Sequence, residues 1–325
     1  MSPVANRTRQ RPTGRPAAAA VLLLVTGLLA GLVSGCQADF TGLRLTVATG
    51  SKDGVYDVLG NVLADAWAGQ LRMPRPEVRQ TAGSVDNLGR LVTGSADIGF
   101  SAADAATETI NTPGQRGLRA LARMHDDYLQ LVVRADSRAG HLADLRGLRV
   151  SIGSPKSGVE LIARRLLETA GLGENDLVVA HLGLSESLAA LRSGSIDAFF
   201  WSGGLPTAGI TELAARLPLR LLDLADVLPE LRERYPVYRT ATLPASAYGL
   251  SGGPVSTLAV PNFLLVTDAM SDDVAEALTR GLFAAREPLD RANPAAQSID
   301  ARSAIETASV PLHPGARRYY QDAKV

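Results

Sequence analysis

Five polar segments of the chain hold residue types that can grip a small molecule: residues 49–56 (TGSKDGVY), 81–87 (TAGSVDN), 101–104 (SAAD), 154–160 (SPKSGVE) and 202–207 (SGGLPT). Each combines glycine or alanine with Ser, Thr, Asn or Asp, follows an apolar stretch and opens a helical pattern. In open α/β sheets ligands bind outside the carboxyl ends of strands, where helix N-termini present unpaired N–H groups and the positive end of a dipole. The chemistry on offer is the holding of a small anion, or the orienting of an amino or hydroxyl group. The same residues also cap helices and make tight turns, which accounts for any one loop taken alone. Recurrence along both halves of the chain is what points to a ligand. Ser157→Ala or Asn87→Ala separates the readings: binding falls at unchanged stability if these side chains touch ligand, and both fall if they cap.

Catalytic chemistry finds little support. His125, His141, His181 and His313 are dispersed, with no HExxH spacing for a metal. No Gly-x-Ser-x-Gly stands as a nucleophile elbow, and neither a P-loop nor a GxGxxG follows the first strand. Ser154-Pro155-Lys156-Ser157 has the SxxK form, but the other two boxes of β-lactamase-like enzymes are missing. The expectation is a non-enzyme with no cofactor and no metal.

Positioning the polar loops requires alternating strands and helices. Residues 43–48 alternate apolar and polar and predict a strand, and 55–70 carry Val58, Leu59, Val62, Leu63, Ala66 and Trp67 at helical spacing. Similar units follow: strand 77–81, helix 85–93 and strand 97–100, then strand 128–134 and a strand-forming stretch over 145–152. Helix 158–170, strand 177–182, helix 185–193, strand 196–201, helix 206–216 and strand 220–222 continue the pattern. Residues 223–254, rich in Pro, Ser, Gly and Tyr, read as connecting structure. Strand 255–266 then returns to the first lobe, and helix 272–287 closes it. No internal repeat stands out. The alternation predicts an α/β fold with largely parallel sheets, divided into lobe I (43–134 and 256–325) and lobe II (135–255) with two crossings as a hinge.

The start of the chain carries an address. Arg7, Arg9, Arg11 and Arg15 precede an apolar run over 17–32, then Val33-Ser34-Gly35 lead to Cys36, the one cysteine of 325 residues. This resembles a bacterial lipobox, which implies a signal peptide over 1–35, acylation of Cys36 and a tether over 36–42. The competing readings are an uncleaved anchor helix, which needs about 20 apolar residues, and an ordinary secretory leader. A single cysteine excludes an internal disulfide. Beyond the leader, 29 basic residues face 33 acidic ones, without the basic surplus that nucleic-acid binding demands. The remaining length exceeds what one compact core usually supports, in line with two lobes.

A family resemblance rests on several motifs in order. They are Thr49-Gly50-Ser51 with Gly54-Val55-Tyr56 and Gly60, Thr81-Ala82-Gly83-Ser84-Val85 with Asn87-Leu88, and Gly94 with Ala96-Asp97-Ile98-Gly99 and Asp104. Residues 144–153, Ser157-Gly158, 194–200, Gly204 with Pro206, and a closing box over 310–320 continue it. Together they resemble the TAXI family, the extracytoplasmic solute-binding proteins of one class of TRAP transporters. The resemblance implies a two-lobed periplasmic-binding-protein fold, type II-like, closing on a small organic acid or an amino acid such as glutamate. It implies delivery of ligand to a TRAP permease, and with the lipobox the expectation is a monomer anchored by lipid to the outer face of the cell membrane; the alternative is a ligand sensor presenting to a membrane receptor kinase.

Carried onto this sequence, the ligand site comprises Thr49, Ser51, Gly54, Val55 and Tyr56 from the first loop and Ser84 and Asn87 from the second. Ser101 and Asp104 orient an amino or hydroxyl group. Ser157, Gly158, Gly204 and Pro206 approach from the opposite lobe, and Tyr56 and Trp201 form aromatic walls, a strand-end packing role for Trp201 being equally consistent. Lys52-Asp53 stand where the family commonly has small residues, and Val159 where a threonine is frequent. Lys52 is then either a cation for a dicarboxylate or a partner of Asp53 in solvent.

Overall fold

The computed structural model describes residues 39–113, 117–307 and 310–325. The expected leader, Cys36 with its lipid, and the first part of the tether lie outside the described residues. β1 (Thr46–Ala48), α1 (Val55–Leu71), β2 (Glu77–Arg79), α2 (Ser84–Thr93), β3 (Ile98–Ala102) and α3 (Ala103–Ile110) form the first α/β unit, and β4 (Leu118–Arg134) leaves it. A second unit follows: β5 (Arg149–Ser151), α4 (Gly158–Thr169), β6 (Val178–Ala180), α5 (Leu184–Ser193) and β7 (Ala198–Gly203). The chain continues through α6 (Ala208–Ala214), β8 (Leu219–Leu221), α7 (Leu228–Arg234), β9 (Arg239–Leu243) and β10 (Val255–Thr267). It ends with α8 (Asp272–Ala284), α9 (Arg286–Ala292), α10 (Ala301–Ala304) and α11 (Pro314–Asp322).

The strands form one sheet in the order β2-β1-β3-β10-β4-β7-β5-β6, with β8 on β4 and β9 on β10. β1 pairs parallel with β2 and β3, and β5 pairs parallel with β6 and β7. β4 and β10 run antiparallel between the two halves. β10 pairs with β9 through Val255–Ala259 and with β3 through Asn262–Leu265, while β4 pairs with β7 through Tyr128–Val133. These two strands therefore belong to both halves and form the expected two-strand hinge. Two α/β halves of matching strand order joined by such a crossing are the two-lobed periplasmic-binding-protein arrangement.

The halves repeat one another, which the sequence reading missed. Gly94-Ser95-x-Asp97 and Gly194-Ser195-x-Asp197 stand at equivalent places. Gly94 and Gly194 end α2 and α5 in the left-handed conformation, both at φ 74°, which glycine adopts without steric cost. Asp97 then accepts the Thr46 N–H at 2.8 Å, and Asp197 accepts the Arg149 N–H at 2.9 Å. Each aspartate thus locks the start of its half's first strand to the entry of its third. The likeness extends to Leu88 and Leu91 against Leu188 and Leu191 in the preceding helices, and a similar run stands near each first strand, Leu43-Arg44-Leu45 and Leu148-Arg149-Val150.

Packing explains the elements. α1 buries Leu59, Leu63, Ala64 and Trp67 at helical spacing against the first half of the sheet, and the Trp67 indole N–H donates to the Leu278 carbonyl of α8 at 3.0 Å. α4 buries Val159, Ile162, Ala163, Leu166 and Leu167 in the second half. Two segments differ from expectation. β4 starts at Leu118 rather than 128: Arg119, Arg123, His125, Asp126 and Asp127 break the apolar pattern of its first half, yet the strand buries Leu118, Ala120, Leu121, Ala122 and Met124, and His125 and Asp127 with them. Within 223–254, Pro229 opens α7, which buries Leu228 and Leu231, and β9 adds a strand.

Candidate ligand-binding cleft

A cavity of about 70 Å³ lies between the carboxyl ends of the strands of both halves. That is room for on the order of five water-sized groups, the scale of a small metabolite. The first half contributes the β1–α1 and β2–α2 loops with Ser51, Gly54, Val55, Tyr56, Gly83 and Ser84. The second contributes the β5–α4 and β6–α5 loops and the end of β7, with Ser154, Ser157, Gly158, Leu182, Trp201 and Ser202. Asp127 of the crossing strand β4 also lines it.

Three helix starts at the cavity lack a side-chain cap on their first-turn N–H groups: α1 at Gly54, α2 at Gly83 and, in the second half, α5 at Gly183. α4 is capped: Ser157 Oγ accepts the Glu160 N–H at 3.0 Å. The halves meet here. The Asp86 N–H donates to the Lys156 carbonyl at 3.1 Å, and a Cβ on Gly158 would lie 2.9 Å from Ser84 Oγ.

Tyr56 stacks on Phe100 with ring centroids 5.2 Å apart and meets the edge of His125 at 6.1 Å. Its hydroxyl donates to Asn262 Oδ1 and stands 3.4 Å from Ser84 Oγ, which accepts the Ala102 N–H at 3.0 Å. Burial, with the nearby Asp127 charge, pushes the phenol well above its ordinary pKa, so Tyr56 stays a neutral donor.

Of the residues singled out in the sequence, Ser51, Gly54, Val55, Tyr56, Ser84, Ser157, Gly158 and Trp201 line the cavity. Thr49, Asn87, Ser101 and Asp104 stand behind its wall with bonds to protein. Thr49 Oγ1 donates to the Arg79 carbonyl at 3.0 Å, and its own carbonyl accepts from Asn87 Nδ2 with Thr81 Oγ1 3.1 Å away. Asn87 uses both ends of its amide, donating to Thr49 O and Phe100 O and accepting from Thr81 Oγ1 at 2.6 Å. Ser101 donates to the Ala102 carbonyl. Asp104 accepts the Tyr238 hydroxyl at 2.8 Å with Arg165 3.6 Å away, and burial raises its pKa against those partners. Gly204 borders a separate cavity of about 460 Å³, Pro206 follows a cis peptide in the β7–α6 connection, and Lys52 is exposed outside the lining. Trp201 donates to Thr207 Oγ1 at 3.1 Å.

Ser154, Val159 and Ser202 lie in polar loops expected to hold ligand, though they were not named there as contacts, whereas Asp127, Ile162, Leu182 and Phe200 were not foreseen as lining. The legible signal for Asp127 was a block of charged residues inside a strand whose flanks are apolar. Among the described residues, no three His, Cys, Asp or Glu side chains are placed to hold a metal ion, and no helix is long and apolar enough to cross a membrane.

The sequence profile of the NMT1-like family matches residues 47–323. A protein from Bordetella bronchiseptica RB50 superposes with a TM-score of 0.57 at 17% identity, over 89% of this chain and 99% of its own. A Xanthomonas citri protein solved with ATP bound gives 0.50 at 18% identity, over 86% of this chain and 94% of its own. The alkanesulfonate-binding protein SsuA from Xanthomonas axonopodis pv. citri, solved with MOPS, gives 0.49 at 17%, over 86% and 83%. At these identities the likeness is one of fold.

Proposed function

This chain belongs to the NMT1-like family, and we propose that it is a solute-binding protein that captures a small carboxylate or amino acid between its lobes and delivers it to a membrane transporter. The observation that carries this reading is the position of the cavity: loops at the carboxyl ends of both sets of parallel strands wall one space, and the halves touch beside it at Gly158 and Ser84. A site completed by two lobes on a two-strand hinge is suited to reversible capture rather than to turnover.

In this reading Ser51, Gly54, Val55, Tyr56, Ser84, Ser157, Gly158 and Trp201 face the ligand, while Thr49, Asn87, Ser101 and Asp104 hold the frame. The lobes divide within β4 and β10, close to Asp127 and Val260, rather than at the ends of those strands. Cys36 anchors a monomer by lipid at the outer face of the cell membrane, and the motif resemblance selects a TRAP-type permease as partner, with glutamate among the ligands to test. Small-angle scattering and calorimetry on the full chain in detergent test the capture step. Added ligand is expected to bind with a fall in radius of gyration; saturable binding with no compaction would argue against lobe closure. Affinity capture from native membranes tests the partner: recovery of a multi-spanning permease supports transport, and recovery of a receptor kinase supports the sensor alternative.

A further inference from the structure

The solute-binding reading leaves open which charge the cleft prefers, and its lining answers that. None of the lining residues is Lys or Arg. The one carboxylate in the wall is that of Asp127, 7% exposed. Its Oδ1 is buried without a hydrogen-bond partner. His125 Nε2 lies 3.2 Å away, but both ring nitrogens of His125 are themselves buried and unpaired, so the two groups are close without forming a hydrogen bond. Ser202 Oγ, also in the wall, is buried and unpaired as well. Buried polar groups in native proteins nearly always find partners, and an uncompensated carboxylate is among the costliest exceptions.

The backbone aims Asp127 deliberately. Between Pro261, opposite Asp126, and Phe263, opposite Arg123, the register of β10 against β4 shifts by one residue, so that Met124 and His125 share a single partner position. A bulge of this kind re-aims the side chains that follow it. Tyr56, Phe200 and Trp201 add aromatic surface to the same wall, and Val159, Ile162 and Leu182 add apolar surface from the second half. Aromatic faces around a carboxylate are the setting in which a protonated amine is held.

Resting on the solute-binding reading, we propose that Asp127 selects for a ligand carrying a protonated amine, so that the cleft takes a small amine or an amino acid with one carboxylate and an apolar body in preference to amine-free anions and dicarboxylates. The amine sits against Asp127 at the hinge. A single carboxylate is served by the uncapped starts of α1 and α2, and a second one meets no cation.

Calorimetry on the full chain in detergent would compare matched pairs that differ by the amine: L-alanine and propionate, L-valine and 3-methylbutanoate, L-glutamate and glutarate. Amine-bearing members are expected to bind at least about thirtyfold more tightly than their partners, and Asp127→Asn to lose that preference, as truncating one member of a buried charge pair does. The unliganded melting temperature of Asp127→Asn is expected to stay level or rise, because the variant removes an uncompensated charge; a fall would mark Asp127 as a structural partner of His125 and overturn the proposal. Equal binding of a deaminated member, or unchanged affinity in Asp127→Asn, overturns it while leaving solute binding intact. If no member binds, the molecule released by denaturing the purified chain is identified by mass spectrometry: an amine supports the proposal and an amine-free anion refutes it. No binding and no released molecule would sink the solute-binding reading itself, and the proposal with it.

Discussion

Asn87→Ala separates a frame residue from a ligand contact. The sequence motif suggests a side chain that touches ligand, whereas in the structure its amide is fully used: Nδ2 donates to Thr49 O at 2.5 Å and Phe100 O at 2.8 Å, and Oδ1 accepts from Thr81 Oγ1 at 2.6 Å. These bonds tie the β1 loop, the β2 loop and β3 to the first turn of α2 beside a residue with no solvent exposure. With Asn87 truncated, the single Thr81 hydroxyl proton can turn to Thr49 O, 3.1 Å away, so truncation costs chiefly the Phe100 and Thr81 bonds and a small void. At about 1 kcal/mol per bond, with more for a buried group left unsatisfied, the loss is about 2–4 kcal/mol. For a chain of this size that is a fall of roughly 5–10 °C in the unliganded melting temperature by scanning calorimetry. Asn87→Asp sharpens the test, because it replaces the donor with a third oxygen facing two carbonyls and is expected to fall further than the alanine variant. An unchanged melting temperature with weakened ligand binding would refute the reasoning and return Asn87 to the site.

Two further outcomes follow from the same geometry. Gly158→Ala places a methyl group 2.9 Å from Ser84 Oγ only when the halves are together, so scattering is expected to show less ligand-induced compaction and calorimetry a weaker affinity, at an unliganded melting temperature close to wild type; full compaction would mean that the contact is slack. His313 is buried and neutral, Nδ1 accepting the Gly315 N–H at 3.1 Å and Nε2 therefore donating to the Met270 carbonyl at 3.0 Å, and burial pushes its pKa below the ordinary 6.5. Since the folded value lies below the unfolded one, its contribution is present above pH 6.5 and is lost as pH falls through the folded value; denaturant melts of His313→Asn across that window should show a shallower loss than wild type, and an equal slope would remove His313 as the cause.

What the sequence disclosed followed physical signal. Helices with a clean apolar stripe were legible nearly to the residue: 55–70 was expected and Val55–Leu71 found, 85–93 expected and Ser84–Thr93 found. The first half of β4 was not, because five charged or ionisable side chains sit in a strand whose other residues are buried. That same block contains Asp127, so one misreading hid both the first half of a hinge strand and a wall of the cleft. Polar loop residues were harder still. Ser84 and Asn87 belong to one motif and share a face of α2, yet Ser84, at the first position of the helix, lines the cavity, and Asn87, a turn further in, is bonded behind its wall. Residue type alone does not distinguish a side chain that waits for ligand from one that has found its partner in the protein.

The repeated halves explain why the cleft is chemically one-sided. Duplicated strand–loop–helix units bring two sets of helix starts to one space, and symmetric use of both would surround a ligand with N–H donors. Here the second half leaves α5 without a side-chain cap at Gly183, but Ser157 caps α4, and Val159, Ile162, Leu182 and Phe200 turn its face apolar. The first half keeps α1 and α2 uncapped, with the Tyr56 and Ser84 hydroxyls beside them. Neither half alone desolvates a ligand with a polar end and an apolar body, since the first offers donors in water and the second an exposed greasy wall. Only closure supplies donors and a dry wall at once, and interactions made solely in the closed state are the ones through which a ligand shifts the population toward it.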